Sequence, residues 1–267
     1  MSVPTFHPSH SAVTSRLRSA GCVFAEDEAQ LLIAAAHAPE ELDRMVDQRV
    51  SGLPLEHLLG WAEFCGRHLA VEPGVFVPRR RTEYLVQEAA RIARPDAVVV
   101  DLCCGSGAVG TAVAAAVGGV ELHAADVDPA AVRCAARNVG PEGGEVHEGD
   151  LYSALPVSLR GRVDVLVANA PYVPTDAIGM MPPEARLHEP LVALDGGPDG
   201  LDVQRRIAGE APLWLAPGGH LLIETSVRQA PSTAALFELA GLSAEVVHSD
   251  EFDATVVLGK LQQSHRK

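Results

Sequence analysis

Hydrophobic and polar positions follow two different periods along this chain. Between residues 9 and 59, apolar side chains recur three or four residues apart, as at Ala29, Leu32, Ile33 and Ala36, which is typical of amphipathic helices. From residue 97 onward, short continuous apolar runs alternate with segments of helical spacing. Continuous apolar runs indicate strands buried on both faces, so this part of the chain predicts a mostly parallel sheet covered by helices.

The predicted strands and turns also suggest domain boundaries. Alternation across Pro73-Gly74 predicts a β-hairpin, and Thr82 predicts the N-cap of a helix that runs to residue 93. We therefore expect a helical domain at residues 1–63, a hairpin linker at 64–81 and an α/β domain at 82–267 with a C-terminal antiparallel strand. The runs that predict its strands are residues 97–102, 120–125, 146–148, 163–168, 220–223, 244–247 and 254–258.

Composition and charge narrow the class of protein. The chain has 267 residues, 47% of them hydrophobic, and a formal net charge of −14, which disfavours binding to a phosphate backbone. Residues 1–8 lack the features of a signal peptide, and no apolar run approaches the roughly 20 residues of a membrane helix. Five cysteines form no CxxC pair, and the histidines, including His123 and His147, show no metal-ligand spacing. We expect a cytoplasmic protein without membrane contact or a metal site.

A glycine-rich turn follows the first predicted strand and is the first candidate for chemistry. Glycines at a strand-to-helix turn let a ligand approach the backbone and the N–H groups of the helix N-terminus. With Gly110, the turn also has the spacing of a dinucleotide-binding loop, so a nicotinamide or flavin enzyme stays open at this point. Its candidate cofactor-binding residues are Asp101, Cys103, Cys104, Gly105, Ser106 and Gly107.

Carboxylates follow the next two strands and suggest nucleoside recognition. Asp126 comes at the end of the second strand, where a carboxylate can accept hydrogen bonds from both ribose hydroxyls; capping of the next helix is the alternative role. Asp150 and Leu151 follow the third strand and would lie beside the base, with Asp150 accepting from the adenine amine and Leu151 giving apolar contact. A solvated turn is the alternative for Asp150.

The segment Asn169-Ala170-Pro171-Tyr172 follows the fourth strand and predicts methyl transfer to nitrogen. A nitrogen that attacks a methyl sulfonium needs its N–H bonds held by acceptors. The Asn169 side-chain oxygen and the Ala170 carbonyl can supply two such acceptors. Pro171 would stiffen the turn and Tyr172 would pack against a planar substrate group. An ordinary strand-end turn is the alternative.

These residues, with further motifs, resemble the HemK-type protein-(glutamine-N5) methyltransferases, which modify a glutamine in the Gly-Gly-Gln loop of peptide-chain release factors. The resemblance implies a class I methyltransferase domain that uses S-adenosylmethionine, bound by residues 103–107, Asp126, Leu151 and Asn169. It implies N-terminal helices that help recognise the protein substrate, whose amide residues 169–172 would hold. The further matching stretches are residues 54–60, 73–79, 82–83, 189–201, 217–219 and 221–224.

Three departures from the family pattern leave the physiological acceptor open. Ala170 replaces a proline, Cys103-Cys104 replaces Gly-Thr, and Arg80 and Arg81 replace a proline and an acidic residue. The run of arginines at 79–81 is consistent with partner binding and with a solvated cluster. Two rival functions also remain: a nucleic-acid amino methyltransferase, and a non-catalytic protein that binds the cofactor.

Overall fold

The computed structural model describes residues 10–262. The expectation about a signal peptide concerns residues 1–8, which lie outside the described residues. No helix of the described region is long and apolar enough to cross a membrane. The cysteines are all free in this region.

Helices and strands occur in the order that the sequence predicts: helices first, then alternating strands and helices. The helices are α1 (His10–Ser19), α2 (Ala25–Ala35), α3 (Pro39–Val50), α4 (Leu55–Leu59), α5 (Glu83–Ile92), α6 (Ala108–Val117), α7 (Pro129–Val139), α8 (Pro183–His188), α9 (Asp202–Trp214) and α10 (Ala230–Leu239). The strands are β1 (Trp61–Phe64), β2 (Arg67–Ala70), β3 (Val98–Leu102), β4 (Glu121–Asp126), β5 (Glu145–Glu148), β6 (Val163–Ala168), β7 (Leu215–Thr225), β8 (Leu242–Ser249) and β9 (Ala254–Leu261).

The described residues form a seven-stranded sheet in the order β5-β4-β3-β6-β7-β9-β8. β9 pairs antiparallel with both β7 and β8, and the other neighbouring pairs are parallel. Side chains of β3 alternate between the two faces: Val98 and Val100 belong to the core that includes residues of α9 and α10, and Val99 belongs to the core that includes residues of α5, α6 and α7. The fold class predicted from the sequence is confirmed.

The hairpin lies earlier in the chain than the sequence predicts. β1 and β2 pair antiparallel around Cys65 and Gly66, which both have positive φ angles, 49° and 69°. This is the geometry of the tight turn that matches the twist of a hairpin. Cys-Gly gives a weaker turn signal than Pro-Gly, so the sequence analysis placed the turn at residues 73–74. That prediction was wrong; Val75 N–H there closes a separate turn on the Glu72 carbonyl.

One side chain of α7 joins the end of the hairpin to the glycine-rich turn. The Asn138 side chain accepts from the Ala70 N–H at 2.8 Å and donates to the Ala70 carbonyl at 2.9 Å. The same amide donates to the Ser106 carbonyl at 2.8 Å. Asn138 therefore fixes the hairpin and the turn relative to each other.

Candidate active site

A cleft lies at the carboxyl ends of β3, β4 and β6. Between β3 and β6, the order in which successive strands join the sheet reverses. This edge is the usual ligand site of open α/β sheets. The cleft holds about 1390 Å³ of space, part of it open solvent at its mouth. All the predicted site residues except Gly107 line it directly: Asp101, Cys103, Cys104, Gly105, Ser106, Asp126, Asp150, Leu151, Asn169, Ala170, Pro171 and Tyr172.

Gly107 belongs to the glycine-rich turn, but its role is to let this turn pack closely against α7. Its φ angle is +74°, and a Cβ added there would lie 2.8 Å from a methyl group of Val139. Asp101, on β3, supports the same region: its carboxylate accepts from the Gly110 N–H, in the first turn of α6, at 2.8 Å. Burial raises the pKa of Asp101 to about 7, and the nearby Asp126 carboxylate adds to the shift. Gly107 and Asp101 thus shape the loop on which a ligand would rest.

Asp126 joins the tip of β4 to the glycine-rich turn. One carboxylate oxygen accepts from the Gly105 N–H at 2.8 Å, and the other accepts from the Asp128 N–H at 2.9 Å. The alternative role of Asp126, capping the next helix, belongs instead to Asp128, whose side chain accepts from the Ala130 N–H at the start of α7. Burial raises the pKa of Asp126.

Asp150 and Leu151 follow β5 along the side of the cleft. The Asp150 carboxylate pairs with Arg206 at 2.6 Å, so it is not merely solvated, and a carboxylate keeps further acceptor positions when one is used. Leu151 is buried with a positive φ of 49°. Arg206 also lines the cleft. Sequence reasoning missed it because it lies on α9, 56 residues from Asp150 along the chain.

The 169–172 turn projects from the end of β6 into the cleft. The Asn169 amide group donates to the Thr82 hydroxyl at 3.4 Å, which leaves the Asn169 oxygen as an unused acceptor on that side chain. Thr82 is the N-cap residue of α5, as predicted, but its side chain makes no capping hydrogen bond. Because the Thr82 hydroxyl holds the amide nitrogen, this contact determines which way the Asn169 side chain faces.

A loop behind the turn keeps Tyr172 in place. The Gln229 side chain donates to the Tyr172 carbonyl at 3.0 Å and to the Asp199 carbonyl at 3.1 Å. Gly200 packs against the same carbonyl: its φ angle is +77°, and a Cβ there would lie 2.2 Å from the Tyr172 oxygen. The glycine at position 200 is therefore explained by its close contact with the 169–172 turn.

Two arginines that line the cleft, Arg79 and Arg81, form ion pairs with glutamates. Arg79 pairs with Glu189, and Arg81 pairs with Glu224 at 3.2 Å. Both glutamates are buried, and burial raises the pKa of each, opposed by the neighbouring arginine. The Arg81 guanidinium also lies 6.0 Å from the centre of the Tyr172 ring. These arginines were not predicted as site residues, because their partners lie more than 100 residues away along the chain.

Comparison with known proteins agrees with this architecture. Residues 68–181 match the family described as methyltransferase small domain. The chain is 39% identical over 208 residues to the release factor glutamine methyltransferase of Geobacter sulfurreducens, covering 76% of this chain and 72% of that protein. It is 34% identical over 263 residues to the 4-amino-L-phenylalanine/4-methylamino-L-phenylalanine methyltransferase of Streptomyces pristinaespiralis, covering 89% of each chain.

A solved structure supports the fold independently. The crystal structure of a methyltransferase from Pyrococcus furiosus aligns with a TM-score of 0.55 at 14% identity, covering 84% of this chain and 98% of that one. At this identity, the agreement extends to the fold alone.

Proposed function

Because the chain belongs to the family of the release factor glutamine methyltransferases, we propose that it transfers the methyl group of S-adenosylmethionine to the side-chain amide nitrogen of a protein glutamine. The observation that carries the proposal is the position of the 169–172 turn, which faces the same cleft as the glycine-rich turn and Asp126. The glycine-rich turn and Asp126 would bind the nucleoside, and the 169–172 turn would supply acceptors for a planar nitrogen.

The carboxylates of the cleft suit S-adenosylmethionine. When bound, this cofactor supplies an electrophilic methyl group on a positively charged sulfur. Asp126 brings negative charge to the cleft, which favours a cationic ligand. Asp126 would hold the ribose hydroxyls, Asp150 the adenine amine and Leu151 the flat face of the base. The backbone of residues 103–107 would contact the rest of the cofactor.

The chain's own residues would act on the substrate amide by positioning it. The Asn169 oxygen and the Ala170 carbonyl would accept the two amide N–H bonds, which turns the nitrogen lone pair toward the methyl group. The same acceptors stabilise positive charge as it develops on the nitrogen. After methyl transfer the nitrogen is acidic and loses one proton to water, so a strong general base is not required. Replacement of proline by Ala170 preserves the backbone carbonyl on which this role depends.

A second candidate acceptor is the aromatic amine of a free amino acid. The relative from Streptomyces pristinaespiralis, whose name gives 4-amino-L-phenylalanine as substrate, matches 89% of this chain. An aniline nitrogen is also planar with two N–H bonds, so the acceptors at residues 169 and 170 suit it equally. Arg79 and Arg81 line the cleft beside Tyr172, and either guanidinium could bind the carboxylate of an amino acid.

One experiment separates these acceptors. The purified protein and radiolabelled S-adenosylmethionine would be incubated with a purified release factor of the host, with the same factor carrying alanine for the glutamine of its Gly-Gly-Gln loop, and with 4-amino-L-phenylalanine. A fourth reaction uses host lysate with and without nuclease. The Asn169→Ala variant serves as the background control in each reaction.

The outcomes are distinct. Label on the release factor that disappears with the alanine substitution is the expected result. Label on the free amino acid alone would favour the second candidate, and lysate label lost with nuclease would identify a nucleic-acid acceptor. Cofactor binding without label in any reaction would mean a non-catalytic protein and would contradict the proposal.

A further inference from the structure

Two histidines and a glutamate meet on one face of the sheet at its edge. His123 lies on β4, and Glu145 and His147 lie on the edge strand β5. The parallel register pairs His123 with Glu145 and Ala125 with His147, so the three side chains extend from the same face. None of these three residues lines the cleft, so the proposed function does not use this cluster.

The distances between the three donor atoms are those of metal ligands. His123 Nδ1 lies 3.0 Å from His147 Nε2, and Glu145 Oε2 lies 3.8 Å and 3.9 Å from these two nitrogens. The longer distances exceed those of hydrogen bonds, so hydrogen bonding does not explain the position of the carboxylate. The circle through the three atoms has a radius of about 2.1 Å, which matches the bond lengths of zinc to imidazole nitrogen and carboxylate oxygen.

A second carboxylate orients the buried histidine for this role. Glu121 Oε1 lies 3.3 Å from His123 Nε2, and the other oxygen of Glu121 is held by Arg162 at 2.9 Å. An ionised carboxylate only accepts hydrogen bonds, so Nε2 carries the proton and the lone pair of Nδ1 faces His147 and Glu145. Carboxylates that hold the far nitrogen of a histidine in this way are typical of metal-binding imidazoles.

We propose that His123, His147 and Glu145 bind a divalent transition-metal ion of the zinc type, with water completing the coordination. Two imidazoles and a carboxylate are ligands that Zn²⁺ favours. The Glu145 side chain is 68% exposed and that of His123 is 8% exposed, so an ion could enter from the solvent side. A bound ion would cross-link the edge strand β5 to β4 just before the chain reaches Asp150 and Leu151 in the cleft.

The test measures zinc binding to the full chain, prepared without a histidine tag and stripped with a chelator. Isothermal titration should show one tight site per chain, and Co²⁺ in its place should give the visible absorption of a four-coordinate ion. At a zinc concentration about 100 times the Kd, the wild-type Tm should rise by roughly 5 to 10 °C. These readouts are independent of methyltransferase activity, so they stand whatever the acceptor is.

Variants locate the site. Glu145→Gln and His147→Gln should each weaken zinc binding by at least about tenfold, and Glu121→Gln by about tenfold through its hold on His123. Glu148→Gln is the matched control, because Glu148 is exposed on the same strand and points to the other face; its zinc affinity should equal that of the wild type. Equal affinity in wild type, Glu145→Gln and His147→Gln, or no stoichiometric binding by wild type, would overturn the proposal.

Discussion

Replacing Asp126 by asparagine tests the hydrogen bonds through which Asp126, at the end of β4, holds the glycine-rich turn. Both carboxylate oxygens of Asp126 accept hydrogen bonds from backbone N–H groups, those of Gly105 and Asp128. Asparagine has nearly the same shape but only one oxygen. In either orientation of the amide, its NH₂ group would face a backbone N–H, so one hydrogen bond is lost and two donors are brought together.

The expected cost follows from the charge of the acceptor. A hydrogen bond to an ionised group contributes about 1.5–3 kcal/mol, so the free energy of unfolding should fall by about that amount. If Asp126 also accepts from the ribose hydroxyls, the variant should bind S-adenosylmethionine about 10- to 100-fold more weakly, because one hydroxyl then meets a donor.

Asp128→Asn is a closely matched control. Asp128 lies two residues away and caps α7, and asparagine caps helices about as well as aspartate does. Urea denaturation and isothermal titration with S-adenosylmethionine would be run on both variants. Unchanged cofactor affinity in Asp126→Asn, or equal losses in the two variants, would refute the assignment of Asp126 as the ribose-binding carboxylate.

Three further predictions concern the same cleft. Asn169→Ala should lower kcat by about 10- to 100-fold, because an acceptor is lost in a desolvated site, while the Kd for S-adenosylmethionine stays within about threefold; full turnover would remove Asn169 from the mechanism. The pKa of Asp101 is raised from 3.8 to about 7 in the folded chain, so its contribution to stability is present below pH 4 and is lost as the pH rises to 7, at no more than about 1.4 kcal/mol per pH unit. The Asp101→Asn variant lacks this contribution. Urea denaturation at pH 5, 6 and 7 should therefore show that the free energy of unfolding of the variant rises relative to that of the wild type as the pH rises; a difference that is the same at all three pH values would contradict this role of Asp101. Gly107→Ala should lower the free energy of unfolding by about 2 kcal/mol, because of its positive φ angle and the contact with Val139, whereas Gly105→Ala, with no atom nearer than 3.9 Å, should lose less; equal losses in thermal denaturation would count against the packing explanation.

The inner strands of the sheet could be predicted from the sequence because they are buried on both faces. The run at residues 163–168 coincides with β6, since every residue from Val165 to Ala168 is buried and apolar. The hairpin could not be placed as well. Its turn uses Cys65, which has no intrinsic preference for a positive φ angle, and pairing of the two strands decides the conformation there.

The candidate site likewise contains residues that could be predicted from the sequence and residues that could not. Residues that follow a strand, such as Asp126 and Asn169, could be predicted because parallel strands bring their carboxyl ends to one edge. The partners of those residues come from other parts of the chain, as Thr82 does for Asn169 and Arg206 for Asp150. Local patterns carry no information about such pairs. His123 and His147 were likewise judged scattered because 24 residues separate them, and only the pairing of β4 with β5 brings their rings together.

The Asn138 amide limits how this protein can be recombined with its relatives. Because the amide binds Ala70 and the Ser106 carbonyl at once, the hairpin end is part of the framework that supports the glycine-rich turn. A chimera that exchanges the N-terminal helices should therefore be joined at Gly60, before β1. Joined after Ala70, it would bring in a foreign hairpin, and the position of the glycine-rich turn would depend on how well that hairpin met Asn138.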